Sequence, residues 1–297
     1  MIVSILVAGT GLMEVFTQKV AALKEIKERP LVGLALGSGA ARGLSHIGLL
    51  QVFEQEGIPI DVITGTSMGA LVGGLYLSGW EPDFLGKFAK AINKQHIVST
   101  LDFVLPPKKG LIDGYRIEAM LKRMLKIKNI EALPKPFAAI SSDIATGERV
   151  VHDNGDLVKG IRASISVPGV FVPERYAGRL LVDGGVVDPV PMDVLWEAGV
   201  DIVIGVNVMK RPTAGAEPEG LIDVLLNMTD IMGFKIFENQ PLNEAIIIEP
   251  LKEHHIGGME FDKAELLIEL GKQAALKAVP QIKNRLKAEG GLDANHS

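Results

Sequence analysis

Short apolar runs and helical patterns alternate along most of the chain. "PLVGLALG" (30–37) is an unbroken apolar run closed by glycine, as expected of a strand buried on both faces of a parallel sheet. In "SHIGLLQVFEQEG" (45–57), Ile47, Leu50 and Phe53 recur at helical steps, and Gly57 stands where a helix-ending glycine belongs. "IDVITG" (60–65) then predicts a strand and "ALVGGLYLSG" (70–79) a helix. Further strands are predicted at 137–144, 179–185, 201–208 and 244–250, with helical stretches between most of them and a long helix over 264–286. Such alternation predicts an α/β fold, a three-layer α/β/α sandwich around a mostly parallel sheet. The uncharged start ends at Glu14, too soon to span a bilayer. It reads as a strand or buried segment feeding an amphipathic helix over 14–28, with a lipid-surface anchor as the alternative. Segment 209–219, "MKRPTAGAEPE", predicts a surface loop. No linker divides the chain, so the expected organisation is an extension (1–30), one domain (31–290) and a polar tail (291–297).

Composition narrows the classes. Of 297 residues, 47% are hydrophobic and 23% charged, which excludes disorder. A net charge of −5 argues against nucleic acid, which selects basic surfaces. The absence of cysteine excludes disulfides and thiolate metal sites, and no metal or cofactor is expected. The start lacks the basic region of a secretory leader, so a cytoplasmic protein, with peripheral membrane residence left open, is the expectation.

The stretch "DVITGTSMGALVGGLYLSGW" (61–80) carries Gly65, Ser67 and Gly69 in G-x-S-x-G spacing. The match alone proves little, but its context is that of a nucleophile elbow: a strand, a sharp turn bearing serine, then a helix. Residues two before and two after must be tiny there, because strand and helix backbones nearly touch. The helix also aims its N-terminal amides at Ser67. Two other readings are an inert structural turn and a transmembrane helix, since 62–80 is uncharged and Gly65, Gly69 and Gly73 form a small-residue ladder. The five glycines and the hydroxyl residues make the span the weaker one.

Upstream, "LGSGAARGLSHIG" (36–48) is a second glycine-rich turn. It fails as a dinucleotide fingerprint because position 42 is Arg, and as a P-loop because it lacks Gly-Lys-Ser/Thr. Its amides at Gly37, Ser38, Gly39 and Ala40 can still form an oxyanion hole, with Met68 as an additional donor. Arg42 either shapes the loop or meets an anionic substrate. For a proton acceptor, only His254 and His255 lie late enough for the usual Ser–acid–His order, while His46 sits where it packs or caps. The better acid is Asp183, at the end of the predicted strand "RLLVD" and followed by two glycines. Asp188 is weaker because Pro189 suggests turn duty.

Three blocks in this order, "GSGAARG" (37–43), "GTSMG" (65–69) and "DGG" (183–185), resemble the patatin-like phospholipases, as do "SSDIATGERV" (141–150) and "ASISVPGVFVP" (163–173). The resemblance runs from about Leu31 to the last helix. It implies a lipid acyl hydrolase in which Ser67 is the nucleophile and Asp183 the general base, with no catalytic histidine and no cofactor. It also implies a lipid or acyl-ester substrate and leaves transient membrane-surface contact open. Ser38 and Ala40 stand where the family loop is often glycine, so a position needing positive φ is resisted there and the donors' identity stays open. The alternatives are a silent lipid-binding regulator of the same fold and a triad esterase using His254 or His255.

Overall fold

A computed structural model describes residues 13–91, 101–106, 109–212, 218 and 220–290. The predicted N-terminal strand, the polar tail and positions 213–217 and 219 of the predicted loop lie outside the described residues. Nine α-helices and ten strands are described: α1 (Glu14–Ile26), β1 (Val32–Leu36), α2 (Ser45–Gln55), β2 (Val62–Thr66), α3 (Met68–Leu77), α4 (Pro82–Ala91), β3 (Gly110–Ile112), α5 (Tyr115–Met124), β4 (Phe137–Asp143) and β5 (Arg149–His152). There follow α6 (Leu157–Ser164), β6 (Gly169–Phe171), β7 (Glu174–Tyr176), β8 (Arg179–Asp183), α7 (Met192–Glu197), β9 (Ile202–Val206), α8 (Leu221–Glu238), β10 (Ile246–Ile248) and α9 (Ala264–Ala288).

The main sheet has the order β10-β9-β1-β2-β4-β8-β7, with β5 also paired to β4. From β10 to β4 all neighbours are parallel. Although these strands are apolar throughout, alternate residues serve different layers. Val32, Leu34, Leu36, Ile63, Phe137 and Ala139 face the layer of α2, α3, α6 and α9. Ala35, Val62, Ala138 and Ile140 face α1 and α7. The fold is thus a three-layer α/β/α sandwich. The amphipathic α1 turns Phe16 and Val20 into that second layer.

Among the strands predicted from sequence, one departs from the expected parallel order. β8 runs antiparallel to β4 and meets only its end, with Asp183 opposite Ser141. It is reached through a two-residue turn from β7, where Ala177 and Gly178 both take positive φ, the twist that suits a tight hairpin. β8 therefore descends toward the level at which β2 stops, since Thr66 pairs with Ile140 one residue before Ser141.

Close approaches anchor the front layer. A Cβ on Gly48 of α2 would overlap the Ile268 carbonyl, and one on Gly271 of α9 the Ser45 carbonyl. The two helices thus cross through reciprocal glycines. Gly271→Val is expected to destabilise the fold by about 3 kcal/mol through overpacking, read as a lowered urea midpoint, whereas Leu276→Ala on the exposed side of the same helix should leave the midpoint nearly unchanged.

Candidate active site

Ser67 occupies the sharp turn between β2 and α3, with φ +56 and ψ −121. A side chain rarely adopts this backbone, and it persists only where the surroundings enforce it. Here they do. A Cβ on Gly65 would lie 2.6 Å from the Ala70 amide nitrogen, and one on Gly69 would overlap the Leu36 carbonyl oxygen. The strand and helix backbones are in contact, so the serine between them is thrust out of both. The Ser67 N–H donates to Ser164 Oγ at 2.9 Å, and Ser164 donates in turn to the Ile140 carbonyl at 2.5 Å. The uncharged run at 62–80 is therefore a five-residue strand, an elbow and a ten-residue helix. Among the described residues no helix is long and apolar enough to cross a membrane.

Asp183 ends β8 and is wholly buried. Facing Ser141 across the ladder puts it on the sheet face that carries α3 and α6. The Gly185 N–H donates to its Oδ1 at 2.7 Å. Among the described residues the other oxygen, Oδ2, makes no hydrogen bond of ordinary geometry. The Ser67 hydroxyl acts on this carboxyl as a hydrogen-bond donor and lowers its pKa. Burial raises the Asp183 pKa to about 7, and the Ser67 and Gly185 hydrogen bonds only partly offset it.

The four glycine-loop amides divide into two pairs. Those of Gly37 and Ser38 donate to the Val206 and Pro189 carbonyls at 3.0 and 2.8 Å. Among the described residues no protein acceptor is found for those of Gly39 and Ala40. Ala40 holds φ +48, so alanine takes the left-handed conformation that favours glycine, and the loop carries strain there. Arg42 is buried beneath the loop. Its Nε donates to the Val208 carbonyl at 3.1 Å, Nη1 to the Ile256 carbonyl at 3.1 Å and Nη2 to Asp230 Oδ1 at 2.5 Å. All three nitrogens thus tie the loop to neighbouring segments.

The histidines stand apart from this arrangement. His46 is buried and donates from Nε2 to the Gly37 carbonyl at 2.9 Å. A carbonyl can only accept, which fixes that tautomer, and burial lowers its pKa to about 4. His152, also lowered to about 4 by burial, pairs with the Ser141 hydroxyl at 2.7 Å. His254 and His255 are exposed on the segment after β10. Among the described residues no histidine is hydrogen-bonded to Ser67 or Asp183. Ser164 lies in the stretch 163–173 that the family resemblance includes, but its link to Ser67 spans 97 residues of chain and no local pattern reveals it.

These features sit within a recognised sequence pattern. The chain belongs to the patatin-like phospholipase family, whose model matches residues 34–196. It is 38% identical over 192 residues to an NTE family protein of Mycobacterium tuberculosis, covering 64% of this chain and 53% of that protein. It is 32% identical over 188 residues to lysophospholipase NTE1 of Candida albicans, covering 63% of this chain and 14% of that protein. The chain thus spans about half the length of the mycobacterial relatives it matches. Among solved structures, VipD from Legionella pneumophila aligns with a TM-score of 0.49 and 12% identity, over 86% of this chain and 67% of that one.

A buried carboxyl with a raised pKa has a definite effect on stability. Its contribution favours the folded state below the ordinary carboxylate range and is lost as pH rises through about 7. Asp183→Asn, neutral throughout, is expected to be more stable than the native chain at pH 8 by roughly 2–4 kcal/mol. The difference should vanish toward pH 4, as checked by urea unfolding across that range.

Proposed function

We propose that the protein hydrolyses acyl esters of lipids through a Ser67–Asp183 dyad, in the manner of a phospholipase A or lysophospholipase. The observation that carries the reading is the pairing of an elbow serine with a wholly buried carboxyl whose pKa lies near 7. A carboxyl of ordinary acidity is a weak base toward a hydroxyl. Burial brings Asp183 into the range where a general base works best at neutral pH. The naming of a matched relative as a lysophospholipase supports the substrate class.

In this mechanism Asp183 takes the Ser67 proton as Oγ attacks the ester carbonyl. The developing oxyanion is met by the Gly39 and Ala40 amides, the two loop donors without protein acceptors, together with the N-terminus of α3. Collapse breaks the ester bond, and the leaving alcohol receives the proton from Asp183. Water then gives a proton to Asp183, attacks the acyl-enzyme and releases the fatty acid, and Ser67 recovers its proton. Arg42 serves as the frame of the loop. Contact with a lipid surface belongs to the same proposal. α8 exposes Leu221, Met228, Ile231 and Met232, while Leu226 on its buried side packs in the small cluster that includes Ala40.

Ser67→Ala and Asp183→Asn are each expected to lower hydrolysis of a phospholipid and lysophospholipid panel by at least about 1000-fold. His254→Ala/His255→Ala should stay within about twofold of the native rate. Loss of activity in the histidine variant with activity kept in Asp183→Asn would establish a triad instead. A fluorophosphonate that fails to label Ser67 would indicate a silent lipid-binding protein. On the acid side, kcat/KM should rise with pH through an apparent pKa of about 7, because Asp183 acts in its ionised form.

A further inference from the structure

Segment 183–191 is the stretch that touches every part of the candidate site. Asp183 is its first residue. The Pro189 carbonyl accepts the Ser38 N–H of the glycine loop at 2.8 Å. The Asp188 carbonyl accepts the Thr66 hydroxyl, one residue before Ser67, and the Pro191 carbonyl accepts the Thr64 hydroxyl, both at 2.8 Å. The Asp188 N–H closes back on the Gly184 carbonyl at 2.8 Å. The path of this segment therefore sets the positions of acid, loop and elbow together.

That path is held from the opposite face of the sheet. Arg149 pairs with Ser142 in the β4–β5 ladder, one residue out of step with the face of Ser141 and Asp183. Its Nη1 donates to Asp188 Oδ2 at 3.1 Å, and Nη2 reaches both Glu197 oxygens at 2.9 and 3.0 Å. Gln240 Nε2 adds contacts to Asp188 Oδ1 at 3.4 Å and to the Val190 carbonyl at 3.2 Å. Asp188 is only 3% exposed and borders a cavity of about 480 Å³. The charged groups facing it are Arg149 from β5, Asp193 and Glu197 from α7, and Lys235 of α8 across the cavity. Desolvation makes a buried ion pair a poor source of net stability, and its best use is to fix a geometry.

We propose that the Arg149–Asp188 ion pair is the positioning element of the site, holding segment 184–191 so that Asp183, the glycine loop and the Thr66–Ser67 turn stay in register. The inference rests on the Ser67–Asp183 reading for its catalytic consequence. It also makes that consequence dependent on pH. Burial raises the Asp188 carboxyl to about 6, against the lowering effect of Arg149, with Asp193 and Glu197 pushing the same way as burial. Below that pH the carboxyl is neutral and its ion pair with Arg149 is lost. Two ionisations, Asp183 and then Asp188, thus govern the acid side of the rate profile.

The test compares the native chain with Asp188→Asn, Arg149→Met and Arg149→Lys on a soluble acyl ester. Asp188→Asn and Arg149→Met are expected to lower kcat at pH 8 by at least about tenfold, since small misplacements of reacting groups have effects of this order. KM should stay within about twofold, and Arg149→Lys should recover part of the rate. The plot of log kcat against pH should steepen from a slope of one toward two below about pH 6 in the native chain, and remain at one in Asp188→Asn. Amide hydrogen exchange in peptides spanning 37–41 and 184–190 should quicken at least about tenfold in Arg149→Met. If that variant does not fold, Asp188→Asn is read by the same exchange measurement. Unchanged kcat in both charge-removing variants, or a native slope of one throughout, overturns the inference, as does unchanged exchange. A native chain that cleaves no ester while exchange quickens as described refutes the hydrolase reading and leaves the positioning role standing.

Discussion

The close approach of three backbones governs the site. α3 begins directly against β1 and β2, with Gly69 on the Leu36 carbonyl and Gly65 on the Ala70 amide. No side chain fits at either contact. The residue between them cannot relax into helix or strand, and Ser67 is held at φ +56 with its hydroxyl clear of both elements. The strain is local, while the packing that enforces it involves the whole front layer, from the β1–β2–β4 ladders to the α2–α9 crossing. A single strained residue is maintained because a large, rigid interface surrounds it.

The second constraint is electrostatic. Asp183 sits at full burial with one oxygen bonded to a backbone amide and the other without a bond of ordinary geometry. Among the described residues no cation is paired with it, unlike Asp61, whose carboxyl is also buried but is bonded by Lys27, Arg29 and the Val32 amide. Burial raises both carboxyls. The partners of Asp61 outweigh that effect and bring its pKa below the ordinary value, whereas those of Asp183 do not. The same residue type is a structural anchor in one place and, in the proposed function, the base in the other. Asp61 is bonded by two cations, whereas Asp183 has a hydroxyl and a backbone amide and is buried more deeply, and both differences push the two pKa values apart.

Much of the fold was legible because strand and helix patterns are local. The runs at 30–37, 60–65 and 201–208 are strands, and the helical steps of 45–57 are a helix, since period and punctuation act over a few residues. Gly65 and Gly69 were readable for the same reason. The short strands β3, β6 and β7 were not legible, because three residues carry no period and these lack the continuous apolar run that marks the equally short β10. Nor was the antiparallel course of β8, since direction is set by what a strand pairs with. Ala40 shows the limit from another side: its residue type argues against positive φ, and tertiary contacts impose that conformation all the same.

By itself the sequence determined the alternation of elements, the tiny residues of the elbow, and two residues capable of nucleophile-and-base chemistry at strand ends. Each is a matter of local sterics or side-chain type. Only the tertiary structure decided which groups meet: Asp183 opposite Ser141 at the level of Ser67, Ser164 on the Ser67 amide, and Arg149 on Asp188 from the far face. It also decided that two of the four loop amides are spent on backbone carbonyls. Contacts between residues far apart in the chain depend on register and layer packing, and a linear pattern does not encode these one residue at a time.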